Sequence, residues 1–286
     1  MKTLILGASG QVGTAFGRLL PEAIAWTRAD LDLRETGRIR PLIEDLAPDR
    51  IINCAAYTAV DAAEDDEETA RLVNGTAVGE MADAAAGLGI PLVTFSTDYV
   101  FDGESDEFYT ETSEPNPLNA YGRSKVVAED LALAYPGSLV IRTSWLFSAT
   151  HPNFVAAILA RAVQGLVRVV DDQWGRPTSA TTLAAATLAA LDDETVGLLH
   201  IASPPTTTWF GLAREACRLA GLGAESVVPC ASAEFPRPAI RPRRAVLVTE
   251  RGADLADWHL DLGEWLRSGE HCDSSDGHPA VQSPSD

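Results

Sequence analysis

The chain has 286 residues, enough for one large domain or two closely joined ones. Its formal net charge of −19 repels phosphate backbones, which argues against a nucleic-acid partner. The sequence opens with no signal-peptide pattern and holds no apolar run of the roughly 18 residues that a membrane span needs, so we expect a cytoplasmic protein without a membrane partner. The four cysteines form no C-x-x-C pair, so neither a disulfide framework nor a zinc site is indicated.

The N-terminal residues predict a strand, a glycine turn and a helix. Thr3–Leu6 is a short apolar run typical of a buried parallel strand, and residues 7–13 follow with the spacing G-x-x-G-x-x-G. This spacing is typical of short-chain dehydrogenase/reductases, whose glycines let the backbone approach a pyrophosphate at a helix N-terminus. The predicted cofactor residues of the turn are Gly7, Gly10, Gln11, Val12 and Gly13.

The second predicted strand, Ala23–Trp26, leads to the region that reads the adenosine ribose. The reading residue is expected about 20 positions after the glycines. Arg28 stands there, and an arginine accommodates a 2′-phosphate, so the sequence favours NADPH while NADH stays open. A solvated loop charge is the alternative for Arg28. Asp32 and Leu33 are placed to flank the adenine.

Residues 53–61 leave the end of the third predicted strand, where open α/β sheets bind ligands. Small residues such as Ala55 would let the cofactor lie close to the backbone there. The acidic residues 61–68 predict a solvated first helical turn more readily than a metal site. The segments around them are predicted as a helix at Arg38–Leu46, a strand at Arg50–Ala56, a helix at Thr69–Ala86, and a strand with its loop at Pro91–Gly103.

A tyrosine and a lysine four residues apart form the candidate catalytic pair. Tyr121 and Lys125 would project from one face of a helix that runs to about Tyr135. An adjacent ammonium favours the phenolate and lowers the tyrosine pKa, so that the phenol can give a proton to a carbonyl oxygen. Of the 22 Lys and Arg residues, Lys2 and Lys125 are the only lysines, and lysine has the adjustable pKa that arginine lacks. The pair alone is a weak motif, because two fixed residues also arise by chance on an amphipathic helix.

Several motifs in a fixed order carry a more specific resemblance. They are residues 7–13, 53–61, 96–103, 121–125, 142–145, 171–178 and 206–209. Together they resemble the dTDP-4-dehydrorhamnose reductase family of the extended short-chain dehydrogenase/reductases, over residues 1 to roughly 267. The resemblance implies an NADPH-dependent reductase of the C4 ketone of a dTDP-4-keto-6-deoxyhexose, in nucleotide-sugar biosynthesis.

The resemblance also implies roles for individual residues. Tyr121 would be the acid, Lys125 its partner, and Thr97 a hydrogen-bond donor to the substrate carbonyl. Thr97, Asp98 and Trp145 would contact the sugar. Further positions that match cofactor contacts of the family are Ala56, Tyr57, Thr58 and Phe95.

A dTDP-sugar carries two phosphate charges and needs cations. Arg176 and Arg241, the latter in a cluster at residues 241–244, are the candidates, with a solvated loop as the alternative for the cluster. The family pattern of Arg-Pro, Asn-Ser and Leu is altered at residues 243–247, which leaves the identity of the sugar open.

Two other functions stay open at this point. One is a non-catalytic NADP-binding regulatory subunit like that of methionine adenosyltransferase. The other is a sugar-nucleotide epimerase or dehydratase. Dehydratases of this fold carry Asp-Glu where this chain has Asp98-Tyr99, so the second carboxyl group is missing and reduction is favoured.

The predicted fold is α/β, a doubly wound parallel Rossmann sheet with a smaller C-terminal α/β substrate-binding region. The cofactor domain would span 1–150, with some later segments returning to it, the substrate region 151–267, and a disordered tail 268–286. No metal ligands are predicted, whether magnesium binds is undetermined, and a homodimer is one assembly that the sequence allows. The second half is predicted to hold strands at Leu139–Arg142 and Leu166–Val170, helices at Asn153–Gln164 and Leu255–Leu266, and surface or satisfied histidines at 151, 200 and 259.

Overall fold

The structure is a computed structural model that describes residues 1–252 and 255–269. Its strands are β1 (Thr3–Leu6), β2 (Ile24–Trp26), β3 (Arg50–Asn53), β4 (Leu92–Thr97), β5 (Ser138–Thr143), β6 (Leu146–Phe147), β7 (Val167–Val170), β8 (Trp174–Gly175), β9 (Thr178–Ser179), β10 (Gly197–His200), β11 (Thr207–Thr208) and β12 (Val227–Cys230). Its α-helices are α1 (Gln11–Leu19), α2 (Thr36–Leu46), α3 (Ala62–Asp65), α4 (Glu67–Arg71), α5 (Ala77–Leu88), α6 (Ala120–Leu133), α7 (Phe154–Ala162), α8 (Ala180–Asp192), α9 (Trp209–Leu219) and α10 (Trp258–Ser268).

A parallel sheet lies at the centre of the described residues. Its strand order is β10-β5-β4-β3-β1-β2, and each pair that the order joins runs parallel. The order reverses between β1 and β3, which is the place where open α/β sheets bind ligands beyond the strand ends. The predicted doubly wound parallel fold is confirmed. Because β10 belongs to this sheet, residues 197–200 return to the N-terminal half of the chain.

Both faces of the sheet are covered, so the residues of β1, β3 and β5 are buried throughout and not only at alternate positions. Side chains of Leu4 and Leu6 pack with α2 and α5, while Ile5 faces Phe16 of α1 and Leu183 of α8. Successive residues of a strand point to opposite faces, so one strand contributes to two cores.

The predicted helix Thr69–Ala86 is interrupted. A π-helical turn at Leu72–Thr76 separates α4 from α5. The turn presents Asn74, whose side chain accepts a hydrogen bond from the backbone N–H of Tyr57 (2.7 Å) and donates to the Ser124 hydroxyl (2.9 Å). The interruption therefore fixes the loop after β3 against α6, which the periodicity of the sequence did not predict.

The C-terminal half has a core of its own. Strands β7 and β12 pair in parallel, and α7, α9 and α10 pack around buried residues such as Trp258 and Leu262. The predicted final helix Leu255–Leu266 begins later, at Trp258, because Asp257 caps it by accepting from the N–H of His259 (2.9 Å). The predicted tail lies outside the described residues from position 270 onward.

A buried ion pair joins α6 to the sheet. Arg142 of β5 donates to both carboxylate oxygens of Glu129, at 2.9 and 2.6 Å, and their side chains are 3% and 4% exposed. The Ser96 hydroxyl also donates to Glu129, and His200 lies 3.4 Å from Arg142. A charge removed from water this completely depends on its partner.

We expect Glu129→Gln to lower the free energy of unfolding by about 3–5 kcal/mol, because Arg142 keeps its buried charge without a counter-charge. Glu67→Gln, which breaks the solvent-exposed pair with Arg123, should cost less than about 1 kcal/mol. Urea unfolding of both variants measures this. Equal losses in the two variants would contradict the assignment of the Glu129 pair as buried and interdependent.

Candidate active site

The predicted glycine turn joins β1 to α1. Gly7 has φ +70°, and a Cβ there would lie 2.6 Å from the Ala55 nitrogen, so the loops after β1 and β3 touch. A Cβ at Gly13 would lie 2.2 Å from the Gly7 carbonyl oxygen. At Gly10 the nearest contact would be that same oxygen at 3.4 Å, so the side of the turn above Gly10 is open. The turn therefore packs tightly below and leaves room for a ligand above.

A cavity of about 690 Å³ extends from this turn along the carboxyl edge of the sheet. Most of the predicted cofactor residues line it: Gly7, Gly10, Gln11, Val12, Arg28, Asp32, Leu33, Ala55, Ala56, Tyr57, Thr58, Phe95, Tyr121 and Lys125. Gly13 lies beneath the turn instead, where it allows α1 to pack on Gly7. Residues far apart in the sequence thus surround one space large enough for a dinucleotide.

The cavity has polar groups that a nucleotide would satisfy. No side chain caps the start of α1 at Gly10, so the first N–H groups of this helix are available to an anion such as a pyrophosphate. Gln11 Oε1 and Thr143 Oγ1 are buried and lack a hydrogen-bond partner within the described part of the chain. Both residues line the cavity, so its walls fit a cofactor rich in hydrogen-bonding groups.

Two guanidinium groups lie at the adenosine end of the cavity. Arg28, the predicted phosphate residue, has its Nε 3.3 Å from Asp32, but Arg34 binds Asp32 more closely, at 3.0 and 3.1 Å to its two oxygens. Hydrogen bonds from Arg34 lower the pKa of Asp32, which holds the carboxylate charged. The cluster keeps one net positive charge, which suits a 2′-phosphate. Arg34 also stands about 20 positions after the last glycine of the turn, but its spacing alone did not show that it would bind Asp32.

His151 was predicted to be a surface or satisfied histidine, and it also lines the cofactor cavity. Its Nε2 lies 2.8 Å from the Ser9 carbonyl oxygen and its Nδ1 lies 2.9 Å from the Thr150 hydroxyl. Because the Ser9 carbonyl oxygen can only accept, Nε2 carries the proton and donates. His151 therefore connects the C-terminal half to the glycine turn. A single histidine before a proline gave no sequence motif that could have identified this contact.

The candidate catalytic groups meet at the other end of the cavity. Tyr121 and Lys125 lie one turn apart on α6, and Asn119 caps that helix by accepting from the N–H of Gly122 (2.8 Å). Thr97, at the end of β4, donates to Asp98 at 2.9 Å, and its hydroxyl lies close enough to Tyr121 to act on the pKa of the phenol. The Thr97 hydroxyl must therefore turn from Asp98 before it can donate to a substrate oxygen.

Burial sets the protonation of these groups. It raises the pKa of Tyr121, and the charges of Asp98 and Tyr99 act in the same direction. The expected lowering of this pKa by Lys125 is therefore wrong for the protein alone, since desolvation of the phenolate dominates and Thr97, not Lys125, is the group that acts to lower it. Burial also lowers the pKa of Lys125 to about 8, against the opposing charge of Glu129. Tyr121 is thus protonated at neutral pH, the form that a proton donor needs.

Asp98 is a second buried acid at this site. Burial raises its pKa to about 7, although hydrogen bonds from Thr97 and from the Trp145 side chain oppose the change. Trp145 stacks on Trp209, with ring centroids 3.7 Å apart and planes 7° apart. A Cβ at Gly175 would lie 2.5 Å from the Trp145 ring, so glycine is required beneath the stack. The two rings form an apolar wall beside the polar catalytic groups.

The two predicted diphosphate cations are placed differently. Arg241 binds both oxygens of Asp61 and donates to the Ala239 carbonyl, so most of its N–H groups are engaged. Arg176 lies with His200 and Leu247 around a separate small recess and outside the cofactor cavity. Their predicted contact with substrate stays a prediction.

The sequence predicted that the acidic residues 61–68 form a solvated helical turn. In the structure, three of these carboxylates bind partners elsewhere in the chain. Asp61 holds Arg241, Glu64 accepts from the N–H of Ala120 (2.7 Å), and Glu67 pairs with Arg123 (2.8 Å). The segment is therefore docked onto the start of α6. Among the described residues, no group of three or more His, Cys, Asp or Glu side chains is arranged to hold a metal ion.

Comparison with known proteins agrees with this geometry. The chain matches the family model of the RmlD substrate binding domain over residues 1–269. The chain belongs to this family. The dTDP-4-dehydrorhamnose reductase of Burkholderia thailandensis is 38% identical to this RmlD-family member, over 93% of the chain and 98% of that protein. The dTDP-4-keto-6-deoxy-D-glucose reductase of Streptomyces niveus is 37% identical, over 85% and 87%.

One similar solved structure contains a bound cofactor. The dTDP-4-dehydrorhamnose reductase of Bacillus anthracis, in complex with NADP, superposes with a TM-score of 0.89 at 28% identity, covering 93% of this chain and 99% of that one. The family that the sequence motifs indicated is thereby confirmed. Across residues 1–252 and 255–269, no helix has the length and apolar character to cross a membrane.

We expect Arg34→Ala to weaken NADPH binding about 10-fold or more and to leave NADH binding nearly unchanged, because a charge-assisted contact to the 2′-phosphate is lost. The matched control is Arg38→Ala, because Arg38 is an exposed arginine nearby that pairs with Glu35. This variant should change neither affinity. Calorimetric titration with both nucleotides measures this. Equal weakening for the two nucleotides would place Arg34 elsewhere than at the 2′-phosphate.

Proposed function

We propose that this chain is an NADPH-dependent reductase of the C4 ketone of a dTDP-4-keto-6-deoxyhexose, acting in nucleotide-sugar biosynthesis. Membership of the RmlD family and the names of its relatives support this reaction class. The relatives include reductases of two different 4-keto sugars, so the proposal commits to the 4-keto-6-deoxy class. Cytoplasmic location and assembly as a homodimer remain predictions of the sequence.

One observation carries the proposal. Tyr121 and Lys125 both line the cofactor cavity, and Thr97 and Trp145 both act on the buried Asp98 beside Tyr121, which supports placing the substrate carbonyl next to the Tyr121 phenol. A carbonyl placed there has a proton donor and a second hydroxyl within reach of its oxygen, and its ring lies against an apolar surface. This combination is what the reduction of a sugar ketone requires.

The residues divide the chemistry between them. When NADPH is bound in this cavity, it supplies the hydride. Tyr121 holds the proton that the substrate oxygen receives as negative charge develops on it, and an alkoxide is a far stronger base than the phenolate left behind. Lys125 is positively charged below about pH 8, so it stabilises that phenolate. Thr97, once released from Asp98, donates a hydrogen bond to the same oxygen.

The residue after Asp98 favours reduction over loss of water. Tyr99 occupies the place where related dehydratases carry a glutamate. Burial raises the pKa of Tyr99 to about 12, so at neutral pH it offers no base for proton abstraction. Asp98 alone remains as a carboxyl group at this position, and we infer that it orients the sugar together with Trp145.

We expect Tyr121→Phe to abolish most turnover of a dTDP-4-keto-6-deoxyhexose while leaving NADPH binding unchanged, because the ring stays and only the proton donor is lost. NADPH absorbance follows the turnover, and nucleotide fluorescence follows the binding. Phe95→Leu, which alters a cavity-lining residue without a transferable proton, should instead raise the KM for NADPH. Wild-type protein that oxidises no NADPH with this substrate class would refute the reaction and favour the regulatory-subunit alternative.

The rate should also depend on pH through Lys125. Its ammonium is present below about pH 8 and is lost as the pH rises through that value, so kcat should fall on the alkaline side. The guanidinium of a Lys125→Arg variant keeps its charge, and its residual activity should show no such decline. Steady-state rates from pH 6 to 10 test this. A wild-type rate that stays level through this range would exclude the proposed role of the ammonium.

A further inference from the structure

The carboxylate of Asp61 collects four donors from one segment of the C-terminal half. Its oxygens accept from both terminal nitrogens of Arg241, from the N–H of Ala239 (3.2 Å) and from Arg237 (3.4 Å). The side chains of Asp61 and Arg241 are 21% and 15% exposed. Hydrogen bonding by Arg241 lowers the pKa of Asp61 to about 2, so the pair is ionised at neutral pH. Residue 61 therefore fixes a guanidinium that the chain supplies 180 residues later.

One residue, Tyr99, lies between this fixed guanidinium and the candidate catalytic Tyr121. The Arg241 guanidinium lies close enough to the Tyr99 hydroxyl for its charge to oppose the burial that raises the pKa of Tyr99. The Tyr99 ring meets the Tyr121 ring edge to face, with centroids 5.9 Å apart and planes 80° apart. This contact is one of the favoured geometries of aromatic pairs, and it restricts how the Tyr121 ring can tilt. A continuous line of contacts thus runs from Asp61 through Arg241 and Tyr99 to Tyr121.

A second contact fixes the same segment to α6. The Asn119 side chain, which caps this helix, donates to the Ile240 carbonyl at 2.8 Å. Residues 237–241 are therefore held on one side by Asp61 and on the other by the residue two positions before Tyr121. Displacing the segment would disturb the helix start as well as the ring contact.

We propose that Asp61 is a positioning residue for the reduction, acting through Arg241 and Tyr99 to hold the Tyr121 ring in its reactive orientation. The inference rests on the proposed function, because it assigns Tyr121 as the proton donor. It also assigns Arg241 to this positioning and not to the substrate diphosphate, since most of its N–H groups are already engaged.

The test is a double-mutant cycle of Asp61→Asn and Tyr99→Phe, with Glu68→Gln as the control. Glu68 is an exposed carboxylate of the same acidic segment, so its loss changes the net charge equally. Each of the two variants should lower kcat about 10- to 100-fold with the KM for NADPH unchanged, the range expected for a lost hydrogen bond to a charged group. The double variant should be no slower than the slower single variant, because both cut one line of contacts.

Other outcomes overturn the inference. Multiplicative losses in the double variant would mean that Asp61 and Tyr99 act independently, and a kcat for Asp61→Asn equal to that of Glu68→Gln would remove the role of Asp61. Tyr99→Phe leaves the ion pair intact, so it tests the line of contacts even if Asp61→Asn folds poorly. Rates are normalised to NADPH-binding sites to exclude unfolded protein.

Amide hydrogen exchange separates this inference from the proposed function, because it needs no turnover. In Asp61→Asn, exchange should accelerate in residues 237–241 and 119–122, while Glu68→Gln should match the wild type. Unchanged exchange in both segments would overturn the positioning role. If exchange accelerates in Asp61→Asn but the wild-type protein reduces no dTDP-4-keto sugar, the contacts are supported and only the proposed reaction is refuted.

Discussion

Removal of charge from water is the constraint on which this site depends. Lys125, Asp98 and Tyr121 all lie where hydration is replaced by protein, and the pKa of each moves toward its neutral form. For the phenol this keeps the proton in place until a stronger base appears. For the lysine it brings the pKa to within about one unit of neutral pH, so most but not all molecules carry the ammonium charge. The buried pair of Glu129 and Arg142 lies behind these groups and anchors α6 to the sheet beneath them.

The sequence was most informative where function requires neighbouring residues. The strand, the glycine turn and the start of α1 lie within twenty positions, and each requirement of a pyrophosphate site is local. The Tyr121 and Lys125 pair is local for the same reason, because a helix brings residues four apart onto one face. The order of the motifs then indicated the family, and the family fixed the sheet and the cofactor.

The sequence did not predict contacts between residues that are far apart in the chain. Nothing near Asp61 indicates that an arginine 180 residues later will bind it, and a row of carboxylates looks like a solvated helix turn until its partners are placed. His151 presents the same difficulty, since its partner is a backbone carbonyl and any residue could supply one. The direction of the Tyr121 pKa was missed for a different reason. Spacing shows that a lysine follows one helical turn later, but the burial that raises the Tyr121 pKa is a property of the whole fold.

The π-helical turn at Leu72–Thr76 has a consequence for how this segment can vary. A regular helix advances about 100° per residue, so a turn that holds one extra residue rotates everything on one side of it relative to the other. Deleting a single residue there would restore a uniform helix, but Asn74 would swing away from Tyr57 and Ser124. Single-residue insertions and deletions in this helix are therefore disfavoured. The length of an apparently ordinary helix is thus coupled to the shape of the cofactor loop.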